Sequence, residues 1–197
     1  MRGFLFGAAS WTIDAMALAF SQHPIGLVCC VIALAACTAA CVLTRHRRDD
    51  WPVLVSLTVL QSALAVDMLF SVRWLLHNEL TSEFRAHRYY DGRVGPQHLA
   101  LLLVAAGAFT AIGLLLRSLR GRRGAQLASC GMILWISTWL AQVISLHSMD
   151  VFLHRSLAHV TVRDVVWIVS SMMISCGVLL DARRAPTTES RRSVQTR

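Results

Sequence analysis

The sequence predicts an all-α protein, a polytopic transmembrane helical bundle of five or six spans, and three observations carry that prediction. Apolar residues make up 55% of the 197-residue chain, and its mean hydropathy is +0.55. Five apolar runs have the roughly 18 to 25 residues that cross a hydrocarbon core. Arginines, which fill all 19 Lys and Arg positions, gather in bursts between alternate runs. In lipid each crossing must satisfy its own backbone N–H and C=O groups, so each must be helical.

The segment Gly3 to Ser21 is apolar apart from Asp14 and follows Arg2. Ala17, Leu18 and Ala19 suit a signal-peptide cleavage region. Against that, Gly3, Gly7, Ser10, Asp14, Ala17 and Ser21 share one helical face, a small and polar stripe through which membrane helices approach. The stripe, and a charge inside what would be a signal's apolar region, favour a further span. Gln22, His23 and Pro24 would then turn the chain into the next helix.

Ile25 to Thr44 is the first clear run. Within it Ala33, Cys37 and Cys41, like Ala36 and Ala40, repeat at helical spacing and predict a close-packing face. All six cysteines, Cys29, Cys30, Cys37, Cys41, Cys130 and Cys176, fall within spans, with no disulfide framework or CxxC metal motif. The second run, Pro52 to Leu76, opens on a proline where a missing N–H costs nothing. Gly92, Gly95 and Pro96 punctuate the loop before Leu99 to Leu116. In the run Gln126 to Leu146, Thr138, Gln142 and Ser145 share a face expected to meet the bundle, and Ile136, Leu140 and Val143 lie nearly opposite, toward lipid. Asp164 to Leu180 is the last run, and Thr161 with Asp164 reads as a capping box before it. Spans are thus expected at about 3–21, 25–44, 52–76, 99–116, 126–146 and 164–180, in one transmembrane domain over 1–184. Residues 185–197 are expected to be a disordered basic tail.

Arg45, Arg47 and Arg48 follow one run, Arg117, Arg120, Arg122 and Arg123 another, and Arg183, Arg184, Arg191, Arg192 and Arg197 close the chain. The remaining loops hold only Arg85, Arg88 and Arg93, and Arg155 and Arg163. Positive charge marks the cytoplasmic side, so both chain ends are expected in the cytoplasm. The basic pI of about 10.1 therefore reports topology. It implies no nucleic-acid partner, and the expected partners are the lipid bilayer and other membrane proteins. Seven of the eight histidines, His23, His77, His87, His98, His147, His154 and His159, then fall at or near the outer face, with His46 inside.

Ionisable groups at mid-depth cost about 2.5 to 3.5 kcal/mol to insert and are functional candidates. Asp14 lies about 18 Å from the cytoplasmic side, and Asp67 and Gln142 about 24 Å, at 1.5 Å per residue. They suit either a proton or ion relay or a satisfied interhelical hydrogen-bond network. On the outer face, Glu83 and His87 are four apart, and His147, Asp150 and His154 form an i, i+3, i+7 stripe. Together they would supply a carboxylate-and-imidazole metal site or axial ligands for a haem, although neither spacing is a closed ligand set. Interfacial anchoring is the simpler reading of such residues. Arg73 and His77 share a face near the outer boundary, where Arg snorkels to phosphate; they would anchor the helix or hold a lipid or quinone headgroup.

The segment Arg73-Trp74 through Glu83-Phe84-Arg85-Ala86-His87-Arg88-Tyr89-Tyr90-Asp91-Gly92-Arg93-Val94-Gly95-Pro96-Gln97, followed later by Ser145-Leu146-His147-Ser148-Met149-Asp150, resembles a group of small uncharacterised bacterial polytopic membrane proteins. These have a Tyr-x-x-Arg loop ending in Pro-Gln and a Ser-x-His-x-x-Asp motif at the outer end of a later span. The resemblance implies a bacterial inner-membrane location and no particular activity or cofactor. It nominates Tyr90, Arg93, Gln97, His147 and Asp150 as shared site positions. The expected function is a non-enzymatic accessory or structural membrane component. The alternatives are an outer-face metal, haem or quinone site and a transporter built on Asp14 and Asp67.

Overall fold

The structure, a computed structural model, describes residues 24–45, 51–86, 94–144, 152–153, 155–157 and 160–183. These form α1 (Pro24–Thr44), α2 (Trp51–Phe70), α3 (Val72–Ala86), α4 (Val94–Ser118), α5 (Arg123–Ile144) and α6 (Val162–Ala182). A two-residue antiparallel ribbon, β1 (Ser156–Leu157) with β2 (Val160–Thr161), precedes α6. All of the helices but α3 are long and apolar enough to cross a membrane. The expected span 3–21 with Asp14, and the tail 185–197, lie outside the described residues.

Four helices make the core. α5 and α6 pack most extensively, followed by α1 on α6 and α1 on α2, while α2 touches α5 more sparingly. Between helices in lipid, apolar burial gives little driving force, so stability depends on how closely backbones approach and on the hydrogen bonds between them. Of the α1 face predicted to pack closely, Ala33, Cys37 and Ala40 have no exposed surface and Ala36 and Cys41 are half-buried; Cys30 joins them at the core. A Cβ on Gly177 of α6 would lie 2.5 Å from Ala128 N and 2.5 Å from Gly124 O of α5, so the two backbones meet with nothing between them. At the far end of α6, the Trp167 ring packs against Gly26 of α1 where any side chain would strike it.

Hydrogen bonds knit α1 to both neighbours. Ser171 Oγ donates to Cys29 O at 2.8 Å, and Gln61 Nε2 donates to Cys30 O at 3.3 Å. Cys41 Sγ and Thr58 Oγ1 lie 3.2 Å apart.

The span expected over 52–76 is divided. Helix α2 ends at Phe70, Ser71 takes a left-handed φ of 53°, and the chain resumes as α3. Residues other than glycine enter that region at a cost of about 1–3 kcal/mol, so the break is held by what surrounds it. Helix α3 then lies against the end of α5, and His77 Nδ1 is 3.1 Å from Val143 O. This placement corrects the expected lipid-facing side of α5, since Val143 is buried under α3. Helix α4 starts earlier than expected and takes Gly95 and Pro96 into its first turn. It leans on α5, and none of its spanning window is buried.

Candidate functional site

The buried charges identify the site. Every buried carboxylate among the described residues, Asp67, Asp164 and Asp181, accepts a backbone N–H at the start of a helix. Helix starts carry unpaired N–H groups and partial positive charge, so an anion there satisfies both needs. Asp181, in the last turn of α6, reaches across to α5. Its Oδ1 accepts Gly124 N–H at 3.1 Å, and its Oδ2 accepts Ala125 N–H at 2.6 Å. Asp164 closes the predicted capping box, its Oδ2 accepting Thr161 N–H at 3.0 Å and Thr161 Oγ1–H at 2.6 Å. Asp67, in the last turn of α2, bridges the break at Ser71, and its Oδ1 accepts Arg73 N–H at 2.7 Å.

Asp67 also meets the Arg73 side chain, Oδ2 to Nη1 at 3.5 Å, with both side chains buried. Arg73 therefore turns inward rather than snorkelling outward as the sequence suggested. Burial presses its guanidinium below the ordinary value, and Asp67 pulls the other way. Its guanidinium carbon stands 5.5 Å from the centre of the Trp167 ring, and that of Arg163 stands 4.8 Å from the same ring. Both separations suit cation–π attraction. Arg163, expected in an outer loop, is buried in the first turn of α6. The result is a clasp of two arginines on one indole, with Asp67 as the direct ionic partner of Arg73.

The other nominated residues divide between different roles. His77 and Gln97 serve the carboxyl end of α5: Gln97 Nε2 donates to Ile144 O at 3.2 Å, beside the His77 contact with Val143 O. Gln142 is half-buried with its Nε2 unpartnered. The oxygens of Asp67 go to Arg73, so the expected meeting of Asp67 with Gln142 gives way to the clasp. Thr138 is buried, but its hydroxyl donates to Leu134 O of its own helix at 2.9 Å. Glu83 is exposed on α3. His87, Tyr90, Arg93, His147 and Asp150 lie outside the described residues. Among the described residues, no three His, Cys, Asp or Glu side chains group as metal ligands.

Arg163 and Asp181 are the residues that sequence reasoning missed. Arg163 and Trp167 are four apart, a spacing that puts a cation over a ring on one helix face. Asp181 follows Gly177 by one turn opposite Gly124 and Ala128, so the small residues mark where it can reach α5.

The geometry of the break gives a direct test. Ser71→Val places a β-branched side chain at positive φ and should cost about 1–3 kcal/mol, whereas Ser71→Gly should cost nothing. Thermal unfolding of both variants in detergent checks this, and equal midpoints would contradict the left-handed conformation.

The chain matches no protein-family model, no curated protein and no solved structure. Its class comes from its own residues: five helices of membrane-crossing length and composition among the described residues make it a multi-pass helical membrane protein.

Proposed function

We propose that this chain is a non-enzymatic accessory or structural component of a bacterial inner membrane, with its arginine-rich loops and C-terminus in the cytoplasm and the Arg73–Arg163 clasp at the outer end. One observation carries the reading. Among the described residues the buried aspartates, which would be the acid–base or ion-carrying groups of an enzyme or transporter, are committed to helix starts by bonds of 2.6–3.1 Å. A carboxylate that takes up a proton becomes a weaker acceptor and loses its charge, which loosens its hold on a helix end and on Arg73, so proton carriage through Asp67 would work against the fold. The positive-inside rule supports the orientation, and the resemblance to small bacterial membrane proteins supports the location. Helix α4, with Leu102, Leu103 and Phe109 each at least 65% exposed, supplies an apolar face to its surroundings within the membrane.

The chain purified in mild detergent from its own membrane should co-elute in constant ratio with a larger membrane protein and contain no stoichiometric metal or haem. A monomer carrying equimolar metal or haem would contradict the reading. So would pH-dependent uptake by proteoliposomes that Asp67→Asn abolishes.

A further inference from the structure

We propose that the clasp is a binding site for a phosphate group, carried by an anionic phospholipid or free in solution, held by the guanidiniums of Arg73 and Arg163. The proposal goes beyond the accessory role and stands independently of it. Arg73 is only 4% exposed, yet its Nη2 has no hydrogen-bond partner. Its Nη1 has only long contacts, 3.5 Å to Asp67 Oδ2 and 3.8 Å to Met68 Sδ. Cation–π attraction to Trp167 offsets some lost hydration but accepts none of the in-plane N–H donors. A buried charged donor left unmatched is among the costlier features a fold can keep.

The Asp67 carboxylate does not meet that need. It reaches the Arg73 guanidinium only through Nη1, at 3.5 Å, and its Oδ1 is held by Arg73 N–H, so Arg73 Nη2 is left without an acceptor. A phosphate offers several charged oxygens to two guanidinium forks, the pairing for which arginine geometry is best suited. The depth fits as well. Trp167 lies five residues after Val162, about 7.5 Å along α6 from its start at 1.5 Å per residue, so the clasp sits near the end of the span. Beside Arg73, Val72, Leu75 and Leu76 of α3 are 39%, 63% and 40% exposed, an apolar flank against which acyl chains can lie. That flank favours a lipid source for the phosphate.

Native mass spectrometry of the detergent-purified full chain should show phosphatidylglycerol retained about tenfold more than diacylglycerol, which has the same tails and no phosphate. Arg73→Gln and Arg163→Gln should each reduce that retention about tenfold, equivalent to ~1.4 kcal/mol. Inorganic phosphate distinguishes the sources. A rise in the thermal midpoint with phosphate, without preferential phosphatidylglycerol retention, assigns the site to the free anion and still supports phosphate binding. If the arginine variants do not fold, Asp67→Asn decides: freed of its carboxylate partner, Arg73 should make the midpoint more responsive to phosphatidylglycerol or phosphate than in the wild type. Equal retention of the two lipids, with no phosphate response in wild type or Asp67→Asn, overturns the proposal. So does undiminished lipid retention in folded Arg73→Gln and Arg163→Gln.

Discussion

Gly177→Val is expected to lower the thermal midpoint in detergent by about 6–12 °C, corresponding to about 3 kcal/mol at 2–4 °C per kcal/mol for a chain of this size. The reason lies in what faces the new side chain. Its Cβ alone would stand 2.5 Å from Ala128 N and 2.5 Å from Gly124 O, both backbone atoms of α5, and 2.9 Å from Ala128 Cβ. Side-chain rotation cannot relieve contacts with backbone, so α5 and α6 must separate. Separation also loosens the hold of Asp181 on Gly124 N–H and Ala125 N–H, and that loss is included in the ~3 kcal/mol. Asp181→Ala should reproduce that second part without the steric clash. Midpoints followed by circular dichroism check both, and a Gly177→Val midpoint equal to wild type would mean that the helices do not meet at Gly177.

Asp67→Ala is expected to cost about 3–5 kcal/mol, the effect of removing one partner of a buried ion pair. Arg73 would remain buried beside Arg163 and Trp167 without its carboxylate, and α3 would lose the bond to its start. Asp67→Asn should cost less, because the amide oxygen can still accept Arg73 N–H. If Asp67→Ala unfolded at the wild-type temperature, Asp67 would not be holding the break between α2 and α3.

The bundle was legible because membrane crossing imposes a length and an apolar composition that any such helix must show. The Thr161–Asp164 capping box was legible for the same kind of reason, being a local pattern with local geometry. The break at Ser71 was not. No Gly, Pro or Asn marks it, and its left-handed turn is stabilised by Asp67 and by the packing of α3 on α5, both tertiary effects. Depth in the membrane marks Asp67 as a functional candidate and suggests Gln142 as a neighbour, but it carries no sign of Arg73 as the partner. Once the chain turns at Ser71, Arg73 comes back toward Asp67, whereas an unbroken helix would have carried it past. Arg163 stands just before the apolar run that starts at Asp164, where arginine ordinarily points to water, and its place over the Trp167 ring on the same helix face is a tertiary feature. His77 and Gln97 show a similar limit: their positions near the outer boundary were evident, but not that α5 would end where its last carbonyls need donors.

A double-mutant cycle on Asp67 and Arg73 tests most directly whether the buried charges act as structural pairs. Unfolding free energies of wild type, Asp67→Ala, Arg73→Ala and the double variant should show that the double costs no more than the more damaging single, because removing the second charge relieves the burden left by removing the first. Additive losses would show that the two residues act independently and would contradict the clasp.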